Sequence, residues 1–218
     1  VRIAAILASL LLAACQVVGV RSGTEEPGFA VMTREGPLEI RRYDPRVIAE
    51  VEVAAPSEEA ARSQGFRPLA DYIFGRNRSD ERIGMTAPVP QVGVPPEGGE
   101  RIGMTAPVAQ QAGPDGVWRI GFFMPARYSL ATLPRPTNPA VAVRELPEQT
   151  VAVLRFSGVP DAPAVTGARG ELMARLALSP RWEASGPGGA WFYDPPWTIP
   201  FARRNEVWVP VREKPARP

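Results

Sequence analysis

Polar and apolar positions alternate from Leu38 to Tyr43, a turn follows at Asp44-Pro45, and the alternation resumes at Val47, Ala49, Val51 and Val53. A period of two places successive side chains on opposite faces of a sheet, so the pattern predicts one strand kinked or bulged at the proline. The same figure returns later: Val141 to Glu145 alternates, Pro147 interrupts, and Val151, Val153 and Phe156 resume. Each compound strand leads into a helix. The first is predicted from Ser57, an N-cap followed by acidic Glu58 and Glu59, to Gly75 as its stop, with breaks at Gly65 and Pro68. Its second half carries Phe66, Leu69, Ala70, Ile73 and Phe74 as the apolar side. The second helix is predicted from Pro163 to Leu178, with Val165, Leu172, Met173 and Leu176 inward. Strands are then predicted at Arg82–Val89, Arg101–Gln110 and Val117–Met124 after the first helix, and at Gly189–Tyr193 and Glu206–Val211 after the second. Strand-helix-strand-strand, written twice, predicts a pseudo-symmetric sheet or barrel with a cleft between its halves.

A closer repeat lies inside the first half. Glu81-Arg-Ile-Gly-Met-Thr-Ala-Pro-Val89 recurs as Glu100-Arg-Ile-Gly-Met-Thr-Ala-Pro-Val108, joined by the turn-forming Pro95-Pro96-Glu97-Gly98-Gly99. Ile83, Met85, Ala87 and Val89 share one predicted strand face, as do Ile102, Met104, Ala106 and Val108. Pro88 and Pro107 cannot donate to a ladder and belong at edges or bulges. Met85 and Met104 are either core fillers or thioethers facing a cavity, and the residues alone favour core filling.

The N-terminus follows a different logic. An apolar run from Ile3 to Ala13, broken only by Ser9, precedes Leu12-Ala13-Ala14-Cys15. The run is too short for a membrane span, which needs roughly twenty residues, and suits the apolar core of a secretory signal. LAAC resembles a bacterial lipobox, which implies that Cys15 is lipidated and anchors the chain. We therefore expect a lipoprotein signal over residues 1–14, a flexible tether over 15–30 spanning about 20 Å, a folded domain over 31–213 and a tail over 214–218. In lipoproteins that resemble this one, Gln16 after the cysteine goes with the outer membrane, facing the periplasm of a bacterial envelope.

Composition removes several chemistries. The chain has no histidine and one cysteine, which excludes Ser-His-Asp and Cys-His nucleophilic sites, HExxH zinc sites, haem attachment through CxxCH and an internal disulfide. No acidic loop has calcium-binding spacing, so no metal site is expected. Lys+Arg 25 against Asp+Glu 23 leaves a net charge of +2, and every cation except Lys214 is arginine. That balance marks no basic patch, and nucleic acid is not expected as a partner.

Several short motifs, in order, carry a resemblance. Glu39-Ile-Arg-Arg-Tyr43, the Gly65–Gly75 helix, the MTAPV strands, Gly121-Phe-Phe-Met-Pro125, Tyr193-Asp-Pro-Pro-Trp197 and Arg203-Arg-Asn-Glu-Val207 resemble the SOUL haem-binding family over residues 30–212. The resemblance implies an α+β fold, a distorted antiparallel β-barrel built from two strand-helix-strand-strand pseudo-repeats with two flanking helices. It also implies non-covalent haem or a related tetrapyrrole in a hydrophobic groove beside the first helix. Phe66, Leu69, Ala70, Ile73, Met85 and Met104 are the candidate groove residues. Arg67, with Arg62 and Arg76, is a candidate partner for propionates. Some family members are held to ligate haem through histidine. Here Tyr43, Tyr72, Tyr128, Tyr193, a methionine or no protein ligand is left for the iron.

Two other readings stay open. The duplicated unit also resembles gyrase-inhibitor-like ligand-binding domains, whose relatives include hydrolases, so Glu206 or Asp194 with a tyrosine could serve as acid or base if burial raised its pKa. Alternatively Asp194-Pro195-Pro196 is a rigid turn, Trp197 is packing, and arginine pairs with Glu206 where the last strand starts. Binding is the leading expectation and enzymatic activity is not expected. The oligomeric state is left open.

Overall fold

The structure, a computed structural model, describes residues 24–78 and 99–215. The first half contains β1 (Phe29–Glu35), β2 (Leu38–Tyr43), β3 (Arg46–Ala54), α1 (Glu58–Ile73), β4 (Asn77–Arg78), β5 (Val108–Ala112) and β6 (Val117–Phe123). There follow β7 (Arg135–Pro136), β8 (Ala142–Leu146), β9 (Gln149–Phe156), α2 (Ala162–Leu178), β10 (Trp182–Ala184), β11 (Gly189–Phe192) and β12 (Asn205–Glu213). This is an α+β fold of two helices on a large antiparallel sheet that curls into a distorted barrel.

The two proline-kinked segments organise the sheet. β2 and β3 are two lengths of one bent strand, β8 and β9 of another, and they lie antiparallel with kink against kink, Tyr43 opposite Gln149 and Arg46 opposite Leu146. Followed through its hydrogen bonds, the path β2–β9–β12–β11–β5–β6–β3 leaves one half of a bent strand and returns to the other half. The predicted duplication is visible in this closure. β3 pairs with β6 as β9 pairs with β12, and β5 pairs with β6 as β11 pairs with β12.

Alternation then assigns the two faces. On the outer face, Val47, Ala49, Val51, Ile120 and Phe122 pack beneath α1, while Ile40, Ala152, Leu154, Val207 and Val209 pack beneath α2. The inner face holds Tyr43, Ile48, Phe123, Val151, Val153, Trp191 and Tyr193.

The first helix starts at its predicted cap, and the second starts one residue before the expected Pro163, on a cap that the sequence reading did not name. Ser57 accepts from the Ala60 N–H at 3.2 Å, and Asp161 accepts from the Ala164 N–H at 2.9 Å. The expected breaks in the first helix are absent: α1 runs through Gly65 and Pro68 to Ile73, and Gly75 follows with a φ of +112°. Packing overrides propensity there. Gly65 is the point of closest approach to the sheet, where any Cβ would lie 2.6 Å from Ile120. Met173 in α2, expected inward, is exposed, because the buried stripe of Val165, Ala168, Leu172 and Leu176 passes it by.

Two further expectations change. The strand expected at Arg101–Gln110 begins only at Val108. Residues 99–106 bond instead to the end of α1 and to Glu25, with Gly99 N–H on the Gly75 carbonyl, Ile102 N–H on Ile73 and Ala106 N–H on Glu25, each at 2.9 Å. Part of the expected tether is also tied down: Glu26 accepts from Arg204 at 3.0 Å, and β1 starts at Phe29. The strand expected at Arg82–Val89, with Met85, and the signal and lipidation site at Cys15 lie outside the described residues.

Candidate functional site

The apolar residues of α1 divide between two surroundings. Leu69, at 0% exposure, and Ile73 belong to the core between the helix and β3/β6. They cannot line an open groove. Phe66 at 42%, Phe74 and Met104 are exposed, and Ala70 is half-buried between the two phenylalanines along the helix. Phe66, Ala70 and Phe74 recur every four residues and form one flank of the helix beside the buried stripe. The Phe66 ring meets the edge of buried Phe122 at 5.3 Å. Met104 lies two residues beyond Ile102, which is bonded to the last turn of α1, and is 52% exposed. The buried stripe therefore holds the helix in place, and its flank carries the accessible apolar surface.

The candidate arginines separate in the same way. Arg62 is drawn inward over the Phe192 ring at 4.4 Å, donates to Gln110 and to the Pro160 carbonyl, and burial lowers its pKa. Arg76 pairs with Asp71 at 3.4 Å. Arg67 is exposed on α1 and has no ion-pair partner among the described residues.

Candidate iron ligands are mostly committed elsewhere. Burial pushes the Tyr43 phenol up to about 12, and its oxygen accepts from Arg41. Tyr72 donates to the Pro134 carbonyl at 2.7 Å and Tyr193 to Glu206 at 2.8 Å, and burial raises both pKa values. Tyr128 is half-buried and donates to Glu100; desolvation and that bond raise its pKa as well. The raised values disfavour the phenolate at each of these positions. Among the described residues Met124 is buried, and Met104 is an exposed thioether close to the end of α1.

Glu206 has 0% exposure on the inner face of β12. It receives both terminal nitrogens of Arg41, at 2.8 and 3.1 Å, Arg204 at 2.9 Å and the Tyr193 hydroxyl. Burial by itself would raise its pKa, but the bonds and charge of Arg41, then of Arg204 and Tyr193, outweigh burial and hold it below the ordinary 4.5. A sealed, fully bonded carboxylate is a structural charge and has the opposite shift from a general acid. Asp194 accepts the Arg204 N–H at 2.6 Å within its turn, and Arg203 donates to the Thr198 and Pro196 carbonyls. This is the rigid-turn reading, except that Trp197 is exposed and packs into no core.

A basin of about 380 Å³ opens on the inner face of the barrel. Ile48, Phe123, Trp191 and Trp208 supply its apolar wall, with the two indoles stacked at 5.2 Å. Arg46, Glu50, Arg119 and Arg144 supply its charges.

The SOUL heme-binding protein family model matches residues 24–210. The chain belongs to that family. Among curated proteins, this SOUL chain is 27% identical to "Heme-binding protein 2" of Homo sapiens over 200 residues, covering 88% of the chain and 89% of the relative. It is 26% identical to the Mus musculus protein of the same name, covering 91% and 94%. In fold it is similar to the solved EcmrR C-terminal domain, at a TM-score of 0.56 and 10% identity, over 81% of this chain and 98% of that one.

Haem, held without a covalent link, is the cofactor that SOUL membership implies. The residues of this SOUL domain fit a macrocycle through apolar contact at the α1 flank. Phe66, Ala70 and Phe74 supply the surface, exposed Met104 follows the segment bonded to the end of the helix, and Arg67 is an exposed cation on the same helix. They do not supply an imidazole. The helical spacing grouped these residues on one side of the helix but could not say which edge of that side the sheet would cover. Arg41, which reaches Glu206 from a distant strand, was not identified from sequence, because strand register is not readable from one strand alone. Arg46 and Trp208 were missed for the same reason, although the alternation of Arg46, Ile48 and Glu50 set them opposite the core face.

Proposed function

We propose that this SOUL domain binds haem or a related tetrapyrrole non-covalently on the exposed flank of α1, as a membrane-tethered carrier or scavenger. The observation that supports the site is the group of large apolar side chains left uncovered around one helix: Phe66, Phe74 and Met104. Phe66 stands on Phe122 and offers its outer face to the ring, Ala70 allows close approach between the two phenylalanines, and Arg67 is placed to meet a propionate. Bound haem supplies a conjugated iron macrocycle; the chain supplies apolar burial, one cation and a thioether within the patch.

Affinity then rests on burial more than on iron. In a matched titration, haem and iron-free protoporphyrin bind within about tenfold of each other, a gap of about 1.4 kcal/mol. Phe66→Asp weakens both by about tenfold or more, since it removes a ring worth roughly 1.5–3 kcal/mol when buried and adds a carboxylate to be desolvated. A haem preference beyond about a hundredfold, about 2.7 kcal/mol, that disappears in Met104→Ala or Tyr128→Phe overturns burial as the dominant contribution. Undiminished binding by Phe66→Asp overturns the site.

The tether is the second part of the proposal: lipidated Cys15 holds the domain at a bacterial envelope membrane, on the outer membrane facing the periplasm. Cys15→Ser moves the protein from the membrane to the soluble fraction, because each buried acyl methylene contributes about 0.8 kcal/mol of anchoring. Retention of the serine variant in salt-washed membranes refutes lipid anchoring.

A further inference from the structure

We propose that the inner basin of the barrel is a second ligand site, apart from the α1 flank, that selects a small planar organic anion through Arg46. The charges in the basin decide the sign. Glu50 is taken by Arg144, whose Nε and Nη2 reach its two oxygens at 2.7 and 3.0 Å. Arg119 is taken by Glu52 at 3.1 Å. Arg46 is the basin's remaining cation. Among the described residues its donors reach only neutral acceptors, the Asp44 carbonyl at 3.4 Å and Gln149 Oε1 at 3.2 Å, and its buried Nε has no hydrogen-bond partner. A guanidinium desolvated without a carboxylate is costly, and a ligand that brings the missing negative charge offsets that cost. Burial lowers the Arg46 pKa to about 10, in keeping with an uncompensated cation.

The wall fixes the shape. Arg46 stacks over Tyr43 at 4.7 Å and Phe123 at 5.4 Å, so aromatic contacts limit how its plane can turn. Trp191 and Trp208 lie nearly parallel, at 20°, and form a flat surface. The Trp208 ring lines the basin, and its Nε1 is buried with no acceptor among the described residues. It sits over Gly189, where any Cβ would approach it to 3.0 Å. A volume of about 380 Å³ is near the lower end of ligand pockets, roughly 300–1,000 Å³, and suits two fused rings bearing one carboxylate. The opposite sign finds no purchase, since Glu206 further along the inner face already has Arg41, Arg204 and Tyr193 on its oxygens.

The test compares three probes of one shape and different charge on the full chain: 2-naphthoate, 2-naphthylmethanol and 2-naphthyltrimethylammonium, followed by calorimetry and by tryptophan fluorescence. Naphthoate binds one-to-one and at least about tenfold tighter than the alcohol, the difference expected from one charge-assisted contact, and the ammonium binds most weakly. Arg46→Met abolishes the preference, Arg46→Lys keeps part of it, and protein saturated with haem binds naphthoate unchanged. Trp208→Phe lowers naphthoate affinity with the Arg46 charge intact, so the proposal stays testable should Arg46→Met fail to fold. No naphthoate binding, equal binding of the three probes, a preference that survives Arg46→Met, or displacement of naphthoate by haem each overturns it.

Discussion

Glu206→Gln destabilises the SOUL domain by about 3–5 kcal/mol at neutral pH, the usual cost of breaking a buried ion pair from one side. The shape of the side chain is conserved, so the loss is electrostatic. Arg41, buried on the neighbouring face of β2, loses the charge that its two terminal nitrogens share, and the new amide directs a donor at an arginine. Arg204 keeps Glu26, but it and Tyr193 must now share with Arg41 the single remaining amide oxygen. Urea unfolding at pH 7 measures the loss, with an unchanged m-value showing that the native state keeps its compactness.

The pH dependence follows from the direction of the Glu206 shift. Its folded pKa lies below its unfolded value, so between the two the unfolded chain holds the extra proton and stability rises with pH. The contribution is present above the ordinary carboxylate value of 4.5 and is lost as pH falls through the folded pKa. The gap between native protein and Glu206→Gln accordingly narrows below that value. A gap that stays constant through acid shows that the carboxylate charge is not what the variant lost.

Ile73→Asp has the other large effect, and it is on folding. Ile73 is 2% exposed among Leu69, Tyr72, Ile102 and Ile120. A carboxylate there has no cation to meet, and the lost transfer energy and unpaired charge together exceed about 4 kcal/mol, enough to unfold a domain of ordinary stability. The cooperative thermal transition and near-ultraviolet dichroism disappear in Ile73→Asp and persist in Phe66→Asp, seven positions earlier on the same helix. A folded Ile73→Asp protein that has merely lost tetrapyrrole affinity moves the ligand site onto the buried stripe.

That contrast marks how far the sequence could be read. The cap at Ser57, the two kinked strands and the duplicated order of elements follow from local chemistry, and each is present in the fold. What a period of 3.6 cannot say is where a sheet ends beneath a helix. Phe66 and Ile73 look alike along the chain and differ only because Ile102 and Ile120 close over one of them. Gly65 and Pro68 looked like breaks because propensity is a local preference, whereas the contact of Gly65 with Ile120 is tertiary. Arg41 and Glu206 could not be paired from sequence because nothing local relates β2 to β12, which meet only through the bonds of Glu206 across β9. The inner basin was hidden similarly, with Arg46, Phe123, Trp191 and Trp208 coming from four separate strands.

The kink-against-kink pairing has an evolutionary corollary. In each half the strands that pair at home, β3 with β6 and β9 with β12, complete only part of the barrel. Three further seams run between halves: β2 with β9, its mate β3 with β8, and β5 with its own counterpart β11. Each contact is matched by its own reciprocal, which is the defining property of an isologous dimer interface. The barrel thus has, within one polypeptide, the pairing symmetry of a twofold homodimer, and its two halves differ in what they carry: one has an exposed aromatic flank on its helix and the other seals Glu206 into its last strand.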